Sequence, residues 1–465
     1  MSSWRHVHFV GIGGSGLSAI ARVMLEQGSE VSGSDLQLSP VAQALAQAGA
    51  CVFEGHHEEQ IAGADVVVVS SAVPGSNVEV QAARAAGIPV FRRPQFLHMI
   101  PAGRRLVAVA GTHGKTTTTS MISAILLDAG LDPTFVVGGV IAGLGTNARA
   151  GAGNLFVLEA DEYERTFLSL LPEVAVILNV EHDHPDCYPS FEDVEKAFAE
   201  FAEQVSDDGL LVVCVDDPAA RSIGERRQAW GGKVAFYGLG SDATWRAEEL
   251  RPNFAGGTDF LAVLGQEVLG LVRMRLPGRH NVSDAMAAIA VTQWLGVPFK
   301  DVRAALTAFQ GVERRFEIKG TVGGVTVVDD YAHHPTEIRA TLDTARYRFE
   351  NSALWAVWQP HTYSRVKALK QDFLSAFETA DHVIVLPVYA SRERDTLGIE
   401  SADIVAQVSH GDVCNAVSLK AAVAMLRQRV RSGDVVIMMG AGDSDRIAEM
   451  LLKGVEEASI EPGGV

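Results

Sequence analysis

Leu106-Val107-Ala108-Val109-Ala110-Gly111-Thr112-His113-Gly114-Lys115-Thr116-Thr117 opens with a short apolar run, turns through two glycines and ends on a lysine and hydroxyls. The run predicts a buried strand over Leu106–Ala110, and the pattern beyond it predicts a helix over Thr116–Ala129. Strand, glycine loop and helix in that order make a phosphate-binding loop. Glycines let backbone N–H groups approach phosphate oxygens, and the helix N-terminus adds positive potential. Lys115 supplies a mobile cation, and Thr116 a hydroxyl for Mg2+. Gly111, Thr112, His113, Gly114, Lys115, Thr116 and Thr117 are the expected ATP site, although the loop is shorter than the general pattern.

The same grammar precedes this stretch. Gly11-Ile12-Gly13-Gly14-Ser15-Gly16 lies between a predicted strand, His6–Ile12, and a predicted helix, Ser15–Gln27. Asp35 ends the next predicted strand, about 20 residues on, the spacing of a dinucleotide fingerprint. Taken alone, that fingerprint predicts NAD and an oxidoreductase. The physics asks only for a pyrophosphate on a helix N-terminus and an acidic group near a ribose, which a sugar nucleotide also satisfies. Both readings stay open at this point, as does a P-loop regulatory module without ligase activity.

Alternation of β and α patterns continues through the chain and predicts three consecutive α/β domains: 1–104, 105–314 and 315–465. The first is Rossmann-like, the second a P-loop ATPase domain and the third Rossmann-like again. Within the second, Thr244–Leu276 carries short runs broken by Gly and Pro, which predicts antiparallel hairpins beside the parallel sheet. Third-domain strands are expected at Val325–Asp329, Leu354–Val357, His382–Leu386 and Val435–Met439. The tail after Glu456 reads as disordered.

With 465 residues, the length fits three domains of about 150. Against 57 acidic residues stand 39 Lys and Arg, a formal charge of −18, which argues against a general nucleic-acid binder. Cys51, Cys187, Cys214 and Cys414 form no C-x-x-C pair, so buried free thiols are expected rather than disulfides or a thiolate zinc site. No signal-peptide pattern or bilayer-length apolar run is present, and a cytoplasmic protein without a membrane partner is expected.

Two acidic runs follow buried strands of the second domain, Glu159–Glu162 and Asn179–Asp186. Ligands of open α/β sheets sit outside the C-terminal strand ends, so both runs should converge on the P-loop, where carboxylate and imidazole could hold Mg2+ with the ATP phosphates. In the third domain, Asp329–Pro335 and Gln359–Arg365 end strands. His333 and His334 are adjacent and point apart, and no third ligand spacing accompanies them, so substrate contact is expected rather than zinc. Arg314-Arg315 lies at the domain junction and is expected to reach a phosphate.

Gly11–Gly16, Gly111–Thr117, Glu159–Glu162, His280-Asn281, Arg314-Arg315-Phe316 and Asp329–Pro335, in this order over essentially the whole chain, resemble the Mur ligase family. These are ATP-dependent enzymes that add amino acids to a UDP-sugar precursor of bacterial peptidoglycan. The resemblance implies ATP, Mg2+, UDP-N-acetylmuramate and L-alanine as ligands, and a monomer or weak homodimer. It places Gly13, Gly14, Ser15, Gly16, Asp35, His56, Ser70, Ser71 and Ala72 on the UDP-sugar. It gives Thr116, Glu159 and His184 to the metal, Asn281 to adenine, Arg315 to the γ-phosphate and Asp329 to the ATP ribose. It sets His333 and Arg365 at the amino acid and acyl phosphate, so that Lys115, Glu159, His184, Arg315, His333 and Arg365 form the catalytic set. A relative that attaches a preformed peptide to the same UDP-sugar is the rival within the family, and the wording of Glu159–Leu168 favours L-alanine. Thr362 stands where many members have arginine, which throws anion binding onto Arg365. Lys196 does not fall clearly at the position of the family's carbamylated lysine, and no such modification is expected. Closure about the junction 311–319 is the expected motion.

Overall fold

The computed structural model describes residues 4–101, 103–391 and 393–453. The tail after Glu456 lies outside them. Three sheets follow one another along the chain. In the first, His6–Val10 is central between Glu30–Asp35 and Val66–Val69, with Cys51–Glu54 and Val90–Arg92 at the edges. All its pairings are parallel. Helices cover both faces of such a sheet, which is why Val66–Val69 is four consecutive buried valines rather than an alternating strand.

The second sheet has ten strands. Arg105–Ala110 lies inside it, between Val174–Ile177 and Leu155–Glu159. Trp245–Pro252 joins its neighbour Lys233–Gly238 in parallel, and Thr258–Leu264 and Glu267–Arg273 then add antiparallel. The predicted hairpins therefore lengthen the same sheet rather than standing beside it. At the other edge Thr134–Ile141 and Thr146–Arg149 form an antiparallel pair. The third sheet has six strands, five parallel and one antiparallel edge, Glu317–Val322. This is the α/β class expected from the sequence, with three successive sheets.

The elements that escaped the sequence reading include the buried inner strand Leu210–Cys214 and the helix Pro218–Ala229, besides edge strands and short connectors. Cys51–Glu54 and Glu317–Val322 are half-exposed or exposed throughout, and neither carries an apolar run longer than three residues. The cysteines are free as expected, but Cys51 is exposed and Cys214 alone is fully buried. A strand at a sheet edge needs no apolar side chain on its open face.

The helix after the P-loop, Lys115–Asp128, begins with four threonines, poor helix formers in isolation. It is buried nearly all round, so packing decides. The hydroxyls of Thr119, Ser120 and Ser123 donate to carbonyls four residues back, which satisfies them inside the core. Among the described residues no helix is long and apolar enough to cross a membrane.

Candidate active site

Because Arg105–Ala110 is flanked by Val174–Ile177 and Leu155–Glu159, the residues just past those three strand ends meet. Asn179 clamps the P-loop: its Oδ1 accepts the His113 N–H at 2.7 Å and its Nδ2 donates to the His113 carbonyl at 3.1 Å. Gly114 has φ +80°, and a Cβ there would lie 2.5 Å from Asp284 Oδ1. Only glycine fits that turn.

Lys115 Nζ donates to Glu162 at 2.9 Å and to the carbonyls of Gly111 and Thr112. Burial pushes the Glu162 carboxyl up, and the Lys115 ammonium works against that rise. The Thr116 hydroxyl donates to Glu159 Oε1 at 3.0 Å, while Glu159 Oε2 accepts the Gly138 N–H. Hydroxyl and carboxylate oxygens side by side are the donor set of a hard cation such as Mg2+. His184, in the left-handed region with φ +53°, faces Asp183 and Glu162 from 3.6 and 3.9 Å. A non-glycine residue held there marks a position fixed by its surroundings. Lys115, Thr116, Glu159 and His184 line one cavity of about 300 Å3, joined by Arg315, His333 and Arg365 from the far side and by Gly16 from the first sheet's loop.

Arg365 reaches that cavity through a buried bridge to Asp183, at 2.7 Å from Nε and 3.2 Å from Nη2. Burial opposes the Asp183 charge, and the guanidinium outweighs it, holding the carboxyl well below its usual range. A second cavity, of about 320 Å3, is lined by Tyr237, Asn281, Asp284, Arg315 and Asp330, with His113 and Glu181 at one wall. Burial raises Asp284 to about 7 and Asp330 to about 6. Asp329 is absent from that lining. It is buried against Arg314 Nε at 3.1 Å, while Asp330 faces the cavity. Adjacent strand residues point to opposite faces, which turns the two carboxylates apart.

The third sheet supplies Glu337, at the third position of the helix Pro335–Arg348 that His334 caps. Glu337 accepts from His333 and His334 N–H and lies 3.1 Å from His113 Nδ1. Burial opposes the charge on His113, but the Glu337 and Glu181 carboxylates hold its pKa up at about 9. Glu337 is the functional candidate sequence reasoning passed over, while Asn179 was read only as the start of an acidic run; a Glu three places into a helix after His-Pro is a capping-box signal that could have found Glu337.

In the first domain, the Gly13 N–H donates to Asp35 at 2.8 Å, and Gly16 lies against the Arg93 guanidinium. Asp35 thus braces the glycine loop itself. His56 Nδ1 is 2.9 Å from Ser34 Oγ and 3.3 Å from buried Glu79. The Ser70 carbonyl accepts from Arg92, the Ala72 N–H reaches Ser70 Oγ, and Ser71 faces a third cavity shared with Arg93, Asp161, His184 and Arg365. Gly14 is open. Ser15 begins the helix Ser15–Glu26, and its side chain lies outside the described part of the structure. Lys196 is exposed and lines none of the three cavities.

Three family models match in order: the Mur ligase family catalytic domain over residues 6–105, the middle domain over 109–292 and the glutamate ligase domain over 314–442. A curated protein of Desulfosudis oleivorans, named UDP-N-acetylmuramate–L-alanine ligase, is 42% identical over 454 residues, covering 97% of this chain and 98% of its own. The chain belongs to the Mur ligase family. A Mur ligase of Roseiflexus carrying the same name is 43% identical over 460 residues, with 96% of this chain and 98% of its own covered. Among solved structures, the UDP-N-acetylmuramate–alanine ligase of Thermotoga maritima superposes with a TM-score of 0.82 at 28% identity, covering 97% of this chain and 99% of its own. A murein peptide ligase of Psychrobacter arcticus reaches 0.72 at 26% identity, covering 99% and 100%.

Proposed function

We propose that this Mur ligase joins L-alanine to the carboxylate of UDP-N-acetylmuramate, with ATP converted to ADP and phosphate, in the cytoplasm. The observation that carries the reading is end-to-end similarity to relatives of that name, at 42% and 43% identity. The murein peptide ligase is the family rival, and its structure is less alike than the alanine ligase's, 0.72 against 0.82. In this reading residues 1–104 hold the UDP-sugar, 105–314 ATP, and 315–465 the amino acid.

A carboxylate is a poor electrophile, and phosphorylation by ATP gives it a good leaving group. The alanine amine then attacks the acyl phosphate, and the tetrahedral adduct collapses to amide and phosphate. Lys115, Arg315 and Arg365 converge on one cavity and neutralise the charge that develops there. Thr116 and Glu159, with His184 across the cavity, would hold Mg2+, which supplies further neutralisation of phosphate charge. His113 and the P-loop N–H groups hold the phosphates, Asn281 the adenine, and Asp330 faces the nucleotide sugar. Gly13, Gly14 and Gly16 approach the pyrophosphate of the UDP-sugar, with Asp35, His56 and Ser70–Ala72 around it. His333 and Arg365 orient the amino acid. Positioning three ligands is most of the catalysis.

The test is competition between L-alanine and the tripeptide L-alanyl-D-glutamyl-diaminopimelate at equal concentrations, read by product mass. L-alanine is expected to be incorporated faster. Faster tripeptide incorporation would assign the chain to the rival activity, and incorporation of neither would remove both.

A further inference from the structure

Three side chains from separate parts of the chain meet beside the P-loop: His113, Glu181 and His334 each offer one donor atom, all within 4.8 Å of one another. His113 comes from the P-loop, Glu181 from the loop after Val174–Ile177, and His334 from the cap of the third-domain helix Pro335–Arg348. Adjacency along the chain could not reveal the set, because no two of its members are neighbours in sequence.

The spacing suits a metal better than it suits hydrogen bonds. His113 Nε2 and His334 Nδ1 each stand 3.7 Å from the same oxygen, Glu181 Oε2, beyond hydrogen-bond range. Two ligands on one tetrahedral zinc, each about 2.1 Å from it, lie about 3.4 Å apart. A contraction of a few tenths of an ångström brings each imidazole to that distance from Glu181, and the three atoms, within 4.8 Å of one another, draw together around the ion. The two imidazoles already lie close, with ring centroids 4.6 Å apart. His113 Nε2 is buried with no hydrogen-bond partner.

The outer contacts are those of a metal-binding histidine. His113 directs its other nitrogen, Nδ1, at the Glu337 carboxylate 3.1 Å away, and Glu181 Oε2 accepts from Thr336 Oγ1 at 2.7 Å. A carboxylate behind a ligating imidazole fixes its tautomer and raises its basicity. On His334, Nδ1 takes only a long 3.3 Å bond from the Thr336 N–H, which an ion could replace. His113 and Glu181 border the second cavity, which leaves a fourth position for water.

We propose that His113, Glu181 and His334 form a binding site for a borderline-soft divalent cation, of which Zn2+ is the best match, that ties the P-loop to the third domain. Two imidazoles and one carboxylate favour Zn2+ over Mg2+, which demands oxygen ligands in octahedral array. The site is separate from Thr116 and Glu159, whose oxygens suit Mg2+. Because the ligands come from two domains, the ion acts as a clasp across their interface.

The experiment titrates the full-length, nucleotide-free chain with Co2+, read by the intense visible bands of a four-coordinate ion, and with Zn2+ against a chromophoric chelator. One ion per chain and a Zn2+-dependent rise in Tm are expected. His334→Asn keeps a good helix cap and removes the imidazole; it should abolish the bands and weaken Zn2+ binding by at least about a hundredfold, since losing even an outer partner costs about 10–100-fold. Glu181→Gln, which retains an acceptor for Thr336, should weaken Zn2+ in the same direction, whereas Glu159→Gln should leave it unchanged. If His334→Asn fails to fold by circular dichroism, Glu181→Gln decides. Weak six-coordinate bands in the wild type, Zn2+ affinity unaltered in folded His334→Asn or Glu181→Gln, or loss in Glu159→Gln alone would overturn the site.

Discussion

Two glycine loops, Gly11–Gly16 and Gly111–Gly114, leave the ends of inner parallel strands and open helices, yet their surroundings differ. The first is braced by Asp35 on Gly13 and by Arg93 against Gly16, and no lysine follows it. The second carries Lys115 and sits among Glu159, Asp161, Glu162 and Asp183, with His113 bridging to Glu337 of the third domain. A helix N-terminus attracts phosphate in both. In the proposed function, what separates them is that one needs only to hold a pyrophosphate, while the other must move charge during phosphoryl transfer. Mobile cation and hard-oxygen pair therefore cluster at the second, which the first meets through the Arg93–Asp161 bridge at 3.1 Å.

The largest effect should come from the contact that joins the second loop's cavity to the third domain. Asp183→Asn leaves the buried Arg365 guanidinium without its charge partner, and breaking one side of a buried pair costs about 3–5 kcal/mol. Small-angle scattering with ATP analogue and UDP-N-acetylmuramate should show the compaction of the wild type lost in the variant. Equal compaction would mean that the Asp183–Arg365 bridge does not hold the domains together.

Next comes Lys115→Ala, which removes a charge-stabilising donor worth about 3–4 kcal/mol in the transition state, a fall in kcat of about 10^2–10^3. UDP-N-acetylmuramate binding by calorimetry should persist. Loss of both would erase the distinction between the loops.

Gly13→Val probes the first loop. A Cβ there would stand 2.9 Å from Asp35 Oδ2 and from Ser39 Oγ, an overpacking expected to cost about 1–3 kcal/mol. The KM for UDP-N-acetylmuramate should rise roughly tenfold or more while the KM for ATP stays put. The reverse pattern would exchange the two assignments.

The shallowest effect is a pH slope. In the metal-free chain His113, held up at about 9 against an ordinary 6.5, contributes stability that is complete below pH 6.5 and fades as pH rises through 9. Docking of the third domain, followed by thermal unfolding between pH 6.5 and 9, should weaken by no more than about 1.4 kcal/mol per pH unit. His113→Asn should flatten that slope, and an unchanged slope would place the titration elsewhere.

Both loops and the three-sheet architecture were legible because glycine spacing and buried apolar runs are local signals. Leu155–Glu159 could be read to the residue, since all but its last side chain are buried. The site was legible only where one motif carried it. Asp330 rather than Asp329 faces the cavity beside Asn281 because strand register turns neighbours to opposite sides, and a two-aspartate run does not declare which face is which. The meeting of His334 with His113 and Glu181 depends on how two domains dock, which spacing along the chain cannot encode. Edge strands such as Glu317–Val322 were invisible because solvent on one side removes the apolar pattern.

The central claim is that ATP activates the UDP-sugar carboxylate before the amine attacks. UDP-N-acetylmuramate labelled with 18O in its carboxylate tests it in one turnover with ATP and L-alanine. The account predicts one 18O atom transferred into the released phosphate, detected by mass. Unlabelled phosphate, with the amide product formed at the same rate, would contradict it.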